Sequence, residues 1–165
     1  MTRMASRAVW IGLLALLLAP RAQAQETWTG KVVGVYDGDT LLVRKGNGSV
    51  VVRLHGVDAP EWSQRYGQTA ASWVAQQLLY EQVDLVAFDR DQYGRYVCNV
   101  TMPNGDLLNT ELLRRGYAWV YSVFVGWNEY YAWIRLVRTA RDAHDGLWHD
   151  QDPTPPWVWR RSHPH

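Results

Sequence analysis

Three short stretches hold the residues whose types and spacing could do chemistry. Asp37-Gly38-Asp39-Thr40 sets two carboxylates around a glycine at the start of an apolar run. Asp-Gly pairs are common turn formers, so this stretch taken alone reads as a turn. Val52-Arg53-Leu54-His55-Gly56-Val57-Asp58-Ala59-Pro60-Glu61 then adds an Arg within a strand, an Asp just beyond it and a Glu in the following turn. Strand alternation puts Val50, Val52 and Leu54 on one face and Val51, Arg53 and His55 on the other. An Arg among Val and Leu in a central strand needs a partner or an anionic ligand, because burying its charge alone is costly. Asp91-Gln92-Tyr93-Gly94-Arg95 brings a second Arg to the start of a strand. Each residue also has a plainer reading: Arg53 paired with a nearby carboxylate, Glu61 capping a turn, Arg95 on a solvated edge.

The elements that must position these residues are β-rich first and helical later. Strands are expected over Thr27–Tyr36, Thr40–Arg44 and Ser49–His55, with Lys45-Gly46-Asn47-Gly48 as the hairpin between the last two. Helical spacing of Ala70, Trp73, Val74 and Leu78 marks Tyr66–Tyr80. Strands follow over Val83–Phe88 and Tyr93–Met102, then a short helix over Leu108–Arg115 ended by Gly116. A longer helix from Asn128 to His144 carries Tyr131, Ile134, Val137 and Ala140 at core spacing. Five strands with interspersed helices suit a small closed barrel rather than a parallel sheet. From Asp152 to Arg161 three prolines argue against regular structure and for an extended strap, its Trp157 and Trp159 docked on the domain or offered to a partner.

Composition bounds the whole. The chain has 165 residues, 47% of them hydrophobic and 10 of them Trp, which fits one folded domain and excludes a disordered tail protein. Arg3 and Arg7 precede an uncharged stretch from Ala8 to Pro20, and Ala22-Gln23-Ala24 supplies a signal-peptidase pattern, so residues 1–24 read as a signal peptide cut after Ala24. That stretch falls short of the roughly 20 apolar residues a membrane-spanning helix needs. Removing its three Arg from 17 Lys+Arg leaves 14 basic against 16 acidic residues, a net charge of −2 for the mature chain. Export implies an oxidising space, yet one cysteine, Cys98, permits no intrachain disulfide, so the core alone must hold the fold. Alternation places Cys98 with Tyr96, Val100 and Met102 as a packed thiol.

Together the three stretches resemble the staphylococcal nuclease-like (thermonuclease) family, in Asp37-Gly38-Asp39-Thr40, in Arg53-Leu54 leading to Asp58-Ala59-Pro60-Glu61, and in Tyr93-Gly94-Arg95. Arg65-Tyr66-Gly67 and Leu108-Asn109 agree as well, and the likeness spans Trp28 to Trp148. The resemblance implies an α+β fold, a five-stranded OB-fold barrel with three helices over residues 25–150, followed by a Pro/Trp-rich tail over 151–165. It implies a Ca²⁺-dependent phosphodiesterase acting as a monomer on single-stranded or denatured DNA and RNA. By the same resemblance, Asp39, Asp58 and the backbone carbonyl of Ala59 would bind calcium, with Asp37 in the outer sphere. Oxygen donors without a His or Cys cluster are what a hard cation prefers. Glu61 would orient or deprotonate the attacking water, and Arg53 and Arg95 would clamp the phosphate, since a guanidinium matches its oxygens with paired donors. Trp119 and Tyr121 fall where the family sets aromatic residues against a base, with core packing as the alternative.

Two other classes compete with a secreted or periplasmic nuclease. One is a non-catalytic nucleic-acid- or protein-binding module on the same barrel; the presence of Glu61 and both Arg speaks against it. The other is an exported domain that works through its tail. With only Lys31 and Lys45 as lysines, attraction to a polyanion must come from local Arg and bound metal.

Overall fold

The computed structural model describes residues 25–164. The signal-peptide reading of residues 1–24 lies outside the described residues. In chain order the elements are β1 (Glu26–Val35), β2 (Thr40–Lys45), β3 (Gly48–Leu54), β4 (Val57–Asp58), α1 (Gly67–Leu78), β5 (Gln82–Arg90), β6 (Tyr96–Thr101), α2 (Leu108–Arg114), β7 (Trp119–Val120), α3 (Trp127–Asp142) and α4 (Pro156–Ser162). Among the described residues, no helix is long and apolar enough to cross a membrane.

Alternation builds the barrel. Along β6, Tyr96, Cys98 and Val100 are buried while Val97, Asn99 and Thr101 are only half-buried; along β2, Leu41 and Val43 point inward. The strands close in the order β1-β2-β3-β6-β5, antiparallel except for the parallel β3–β6 pair, as an OB-fold requires. The hairpin signal Lys45–Gly48 joins β2 and β3 with Lys45 opposite Gly48. Burial pushes the Cys98 thiol up to about 12, so it behaves as packing.

Helices seal the barrel's ends and sides. α1 turns Ala70, Ala71, Val74 and Leu78 inward, and α2 buries Leu108, Leu112 and Leu113 completely. Each such leucine contributes about 1.5–3 kcal/mol relative to exposure. α3 applies Trp133, Val137 and Ala140 to the same core. Asn109, at the start of α2 and fully buried, donates to the His55 carbonyl at 2.8 Å and accepts from the Val100 amide at 3.2 Å. It thereby ties the helix to the exit of β3 and to β6.

Two features differ from the expected elements. β4 and β7 pair as a separate two-stranded sheet, Val57 opposite Val120 and Asp58 opposite Trp119. The tail is not extended throughout, because Pro156–Ser162 forms a fourth helix. Its prolines precede or open that helix, and Pro at the first helical position gives up only an amide that would have no partner there.

Candidate active site

The site lies where β2 begins and β3 ends. Thr40 pairs with Arg53 across the β2–β3 ladder, and the Asp39 carbonyl accepts the Leu54 amide at 2.8 Å, so Asp39 stands beside the Arg53 strand. Asp37 closes the turn before β2 by accepting the Asp39 amide at 2.9 Å. Gly38 has no side chain because none fits: a Cβ there would sit 2.8 Å from the Ala59 Cβ and 2.9 Å from the Ala70 Cβ. Gly67 likewise lets the start of α1 press on the loop after β4, since its Cβ would lie 1.8 Å from the Glu61 carbonyl oxygen.

Arg53 faces outward from β3, as the alternation predicts, and its two terminal nitrogens are held by four partners. One nitrogen donates to the carbonyls of Leu54 at 3.0 Å and Val57 at 2.8 Å and pairs with Asp39 at 3.1 Å; the other donates to Asp58 at 2.9 Å. These bonds fold the Leu54–Val57 turn around the charge. Asp39 in turn accepts the Ala59 amide at 2.6 Å and the Thr40 hydroxyl at 3.0 Å. The structure thus brings Asp37, Asp39, Arg53, Asp58, Ala59 and Glu61 into one cluster.

Burial sets its electrostatics. It pushes the Asp39 carboxyl up to about 7, with Arg53 pulling down and Asp37 pushing further up. It also raises Asp58, against hydrogen bonding from Arg160. The four carboxyl groups of Asp37, Asp39, Asp58 and Glu61 outnumber the two guanidiniums of Arg53 and Arg160. The donor set offered by Asp39, Asp58 and the Ala59 peptide is oxygen only and fits a hard divalent cation. Among the described residues no three His, Cys, Asp or Glu side chains form a ready-made metal cage, so a cation here would complete its shell with backbone oxygen and water.

Arg95 sits in the turn between β5 and β6 rather than inside a strand. Asp91 organises that turn, accepting the Tyr93 amide at 2.9 Å, the Arg95 amide at 3.0 Å and the Arg95 Nε at 2.6 Å. Burial alone would raise the Asp91 carboxyl, but the Arg95 guanidinium and these amides hold it below its ordinary value. Arg95 stands two residues before Val97, the β6 residue that pairs with Arg53 across β3–β6, and among the described residues its ion pair is with Asp91 and not with the cluster. Trp119 is buried beside Trp148, with ring centroids 5.5 Å apart, and Tyr121 lies 6.1 Å from Trp157.

Arg160 joins the cluster although no sequence motif marks it. This α4 residue donates to both oxygens of Asp58, at 3.1 and 2.8 Å, and to Glu61 at 2.7 Å. Hydrogen bonds to Asp58 and Glu61 hold its guanidinium above its ordinary value. Gln64, also unforeseen, donates to the Thr154 carbonyl at 2.6 Å and helps seat the tail. The only signal was an Arg pair in an aromatic segment, with partners about a hundred residues away in the chain.

Comparison with known proteins gives the same picture. A family model described as staphylococcal nuclease homologue matches residues 51–150, which include Arg53, Asp58, Glu61 and Arg95. An uncharacterized endonuclease of Escherichia coli O157:H7 is 39% identical over 131 residues, covering 79% of this chain and 84% of its own length. An uncharacterized endonuclease of Haemophilus influenzae is 33% identical over 150 residues, covering 90% and 82%. A micrococcal nuclease of Shigella flexneri is 30% identical over 156 residues, covering 90% and 89%. With its barrel closed in OB-fold order and its charged cluster at the β2–β3 end, this chain belongs to the staphylococcal nuclease homologue family.

Proposed function

We propose that the protein is an exported, Ca²⁺-dependent nuclease that hydrolyses phosphodiester bonds of single-stranded DNA and RNA with little sequence specificity. The observation that carries this reading is the gathering of Asp39 and Asp58 on Arg53, with Glu61 joined to Asp58 through Arg160, from residues dispersed over the first two motifs and the tail. Asp39, Asp58 and the Ala59 carbonyl would hold the cation, with Asp37 behind them. A bound divalent cation supplies Lewis-acid neutralisation of the scissile phosphate.

The chain's own groups supply the rest. Glu61 accepts a proton from water as its oxygen bonds to phosphorus in line with the 5′ oxygen. The P–O5′ bond breaks, the 5′ oxygen takes a proton from solvent, and the other product carries a 3′-phosphate. Arg53 and Arg95 stabilise charge building on the non-bridging oxygens. With a mature net charge of −2, attraction to the polyanion is local to this cluster, and binding weakens as salt rises.

The reading is tested by digesting single-stranded DNA with the parent protein and with Glu61→Gln and Arg95→Ala variants, and identifying the ends. Loss of about 10²-fold or more in rate for Glu61→Gln, with 3′-phosphate products from the parent, is expected. Undiminished cleavage by both variants would remove these residues from the reaction.

A further inference from the structure

The two arginines on the carboxylate cluster are held differently. Arg53 is built into the fold, its guanidinium bonded to two backbone carbonyls and enclosed by β3 and β4. Arg160 arrives from outside on a seven-residue helix, and its side chain is 39% exposed although Asp58 beneath it is almost wholly buried. It covers the oxygens the proposed chemistry needs. Asp58 Oδ1 is shared between Arg53 and Arg160, Oδ2 accepts from Arg160, and Glu61 Oε1 accepts from the same guanidinium. A cation reaching Asp58 must displace it, and a water at Glu61 Oε1 must compete with it.

The tail that carries Arg160 is seated at its start by buried Pro156 and core-packed Trp157, and otherwise by few polar contacts. Thr154 accepts one hydrogen bond from Gln64, Asp150 pairs with the mostly exposed Arg65 at 2.8 Å, and Trp157 leans on Trp119 and Tyr121 at centroid distances of 6.4 and 6.1 Å. Among the described residues, the partners of Arg160 in ion pairs are Asp58 and Glu61. A cation that took Asp58 would remove one of the two carboxylates that Arg160 grips and loosen the end of α4.

We infer that Arg160 is an internal counter-ion for the cation site: its guanidinium and a divalent cation compete for Asp58, and cation binding loosens the Arg160 end of α4 from the site. The inference rests on the cation reading above and adds a built-in gate to it. In the cation-free state the tail neutralises and shields the carboxylates. In the loaded state the site is open to a phosphodiester.

The test is calorimetric titration of Ca²⁺ into the whole protein, as parent and as Arg160→Gln and Arg161→Gln variants, with hydrogen exchange of residues 156–162 followed without and with Ca²⁺. Arg160→Gln should bind Ca²⁺ about tenfold more tightly than the parent, the scale of one partly exposed charge-assisted pair. Arg161→Gln should bind as the parent does, and saturating Ca²⁺ should accelerate exchange in α4 of the parent. Equal Ca²⁺ affinity for the parent and Arg160→Gln, or exchange in α4 that Ca²⁺ leaves unchanged, overturns the gate while leaving the cation site standing. Absence of Ca²⁺ binding in every protein overturns both. Should Arg160→Gln fail to fold, exchange in the parent decides alone.

Discussion

Arg53 is asked to do two things at once, and the structure puts a magnitude on one of them. Its side chain is 16% exposed, while those of Asp39 and Asp58 beside it are 5% and 2% exposed. Arg53→Ala would strand the carbonyls of Leu54 and Val57 and, among the described residues, take away the ion-pair partner of Asp39. Removing one member of a buried pair leaves an uncompensated charge and costs about 3–5 kcal/mol. Protonation is the escape for a stranded carboxylate, and burial already pushes the Asp39 carboxyl up to about 7. The cost should therefore be largest above pH 7 and shrink toward pH 5, where the carboxyl is neutral in both proteins. Urea unfolding in EGTA at pH 5 and pH 8 measures this directly. In an Asp39→Asn background the same substitution should cost less, by about 1 kcal/mol or more, because the two residues are in contact. Arg95→Ala provides the contrast, since its pair with Asp91 is partly exposed and should be worth about 0–1 kcal/mol. A cost below about 1 kcal/mol for Arg53→Ala at pH 8, or equal costs at the two pH values, would refute the claim that this arginine holds the site together.

Other outcomes follow from the same packing. His55 is stacked on Phe88 at 4.3 Å, and burial pushes its pKa below 6.5 even though Glu129 at 3.8 Å pulls it up. Its neutral form belongs to the folded state, so the stability it contributes is present above pH 6.5 and is lost as pH falls through the lowered folded value; a ring titration by NMR with a midpoint at or above 6.5 would contradict this. Asn109→Ala should lower stability by about 1–3 kcal/mol for each of the two groups it strands, the His55 carbonyl and the Val100 amide, as measured by urea unfolding. A loss under about 1 kcal/mol would mean that water replaces both bonds.

Much of this fold is written in local pattern, and the exceptions share a cause. The barrel strands carry period-two burial, the β2–β3 hairpin carries its own Gly-Asn-Gly turn, and α1 shows its inward face at Ala70, Val74 and Leu78. β4 and β7 were not visible because two-residue strands have no period; they exist only because the chain returns to set Trp119 beside Asp58. Three prolines count as breakers and imply a strap, but all stand at or before the first residue of α4, where proline is compatible with a helix. At the site, Asp39, Arg53, Asp58 and Glu61 stand close in sequence and were legible as motifs. Arg95 was placed within a strand but lies in the Asp91 turn that precedes it. Arg160 joins its partners through tertiary folding alone, across about a hundred residues, and no spacing rule reaches that far.

The central claim is that the cluster around Arg53 works with a divalent cation on nucleic acid. Cleavage of single-stranded DNA by the purified protein, with Ca²⁺ and then with EGTA in excess, tests it most directly. Turnover in Ca²⁺ should stop on chelation and return when Ca²⁺ is restored. Cleavage that continues undiminished in EGTA, or no cleavage in either condition, would contradict it.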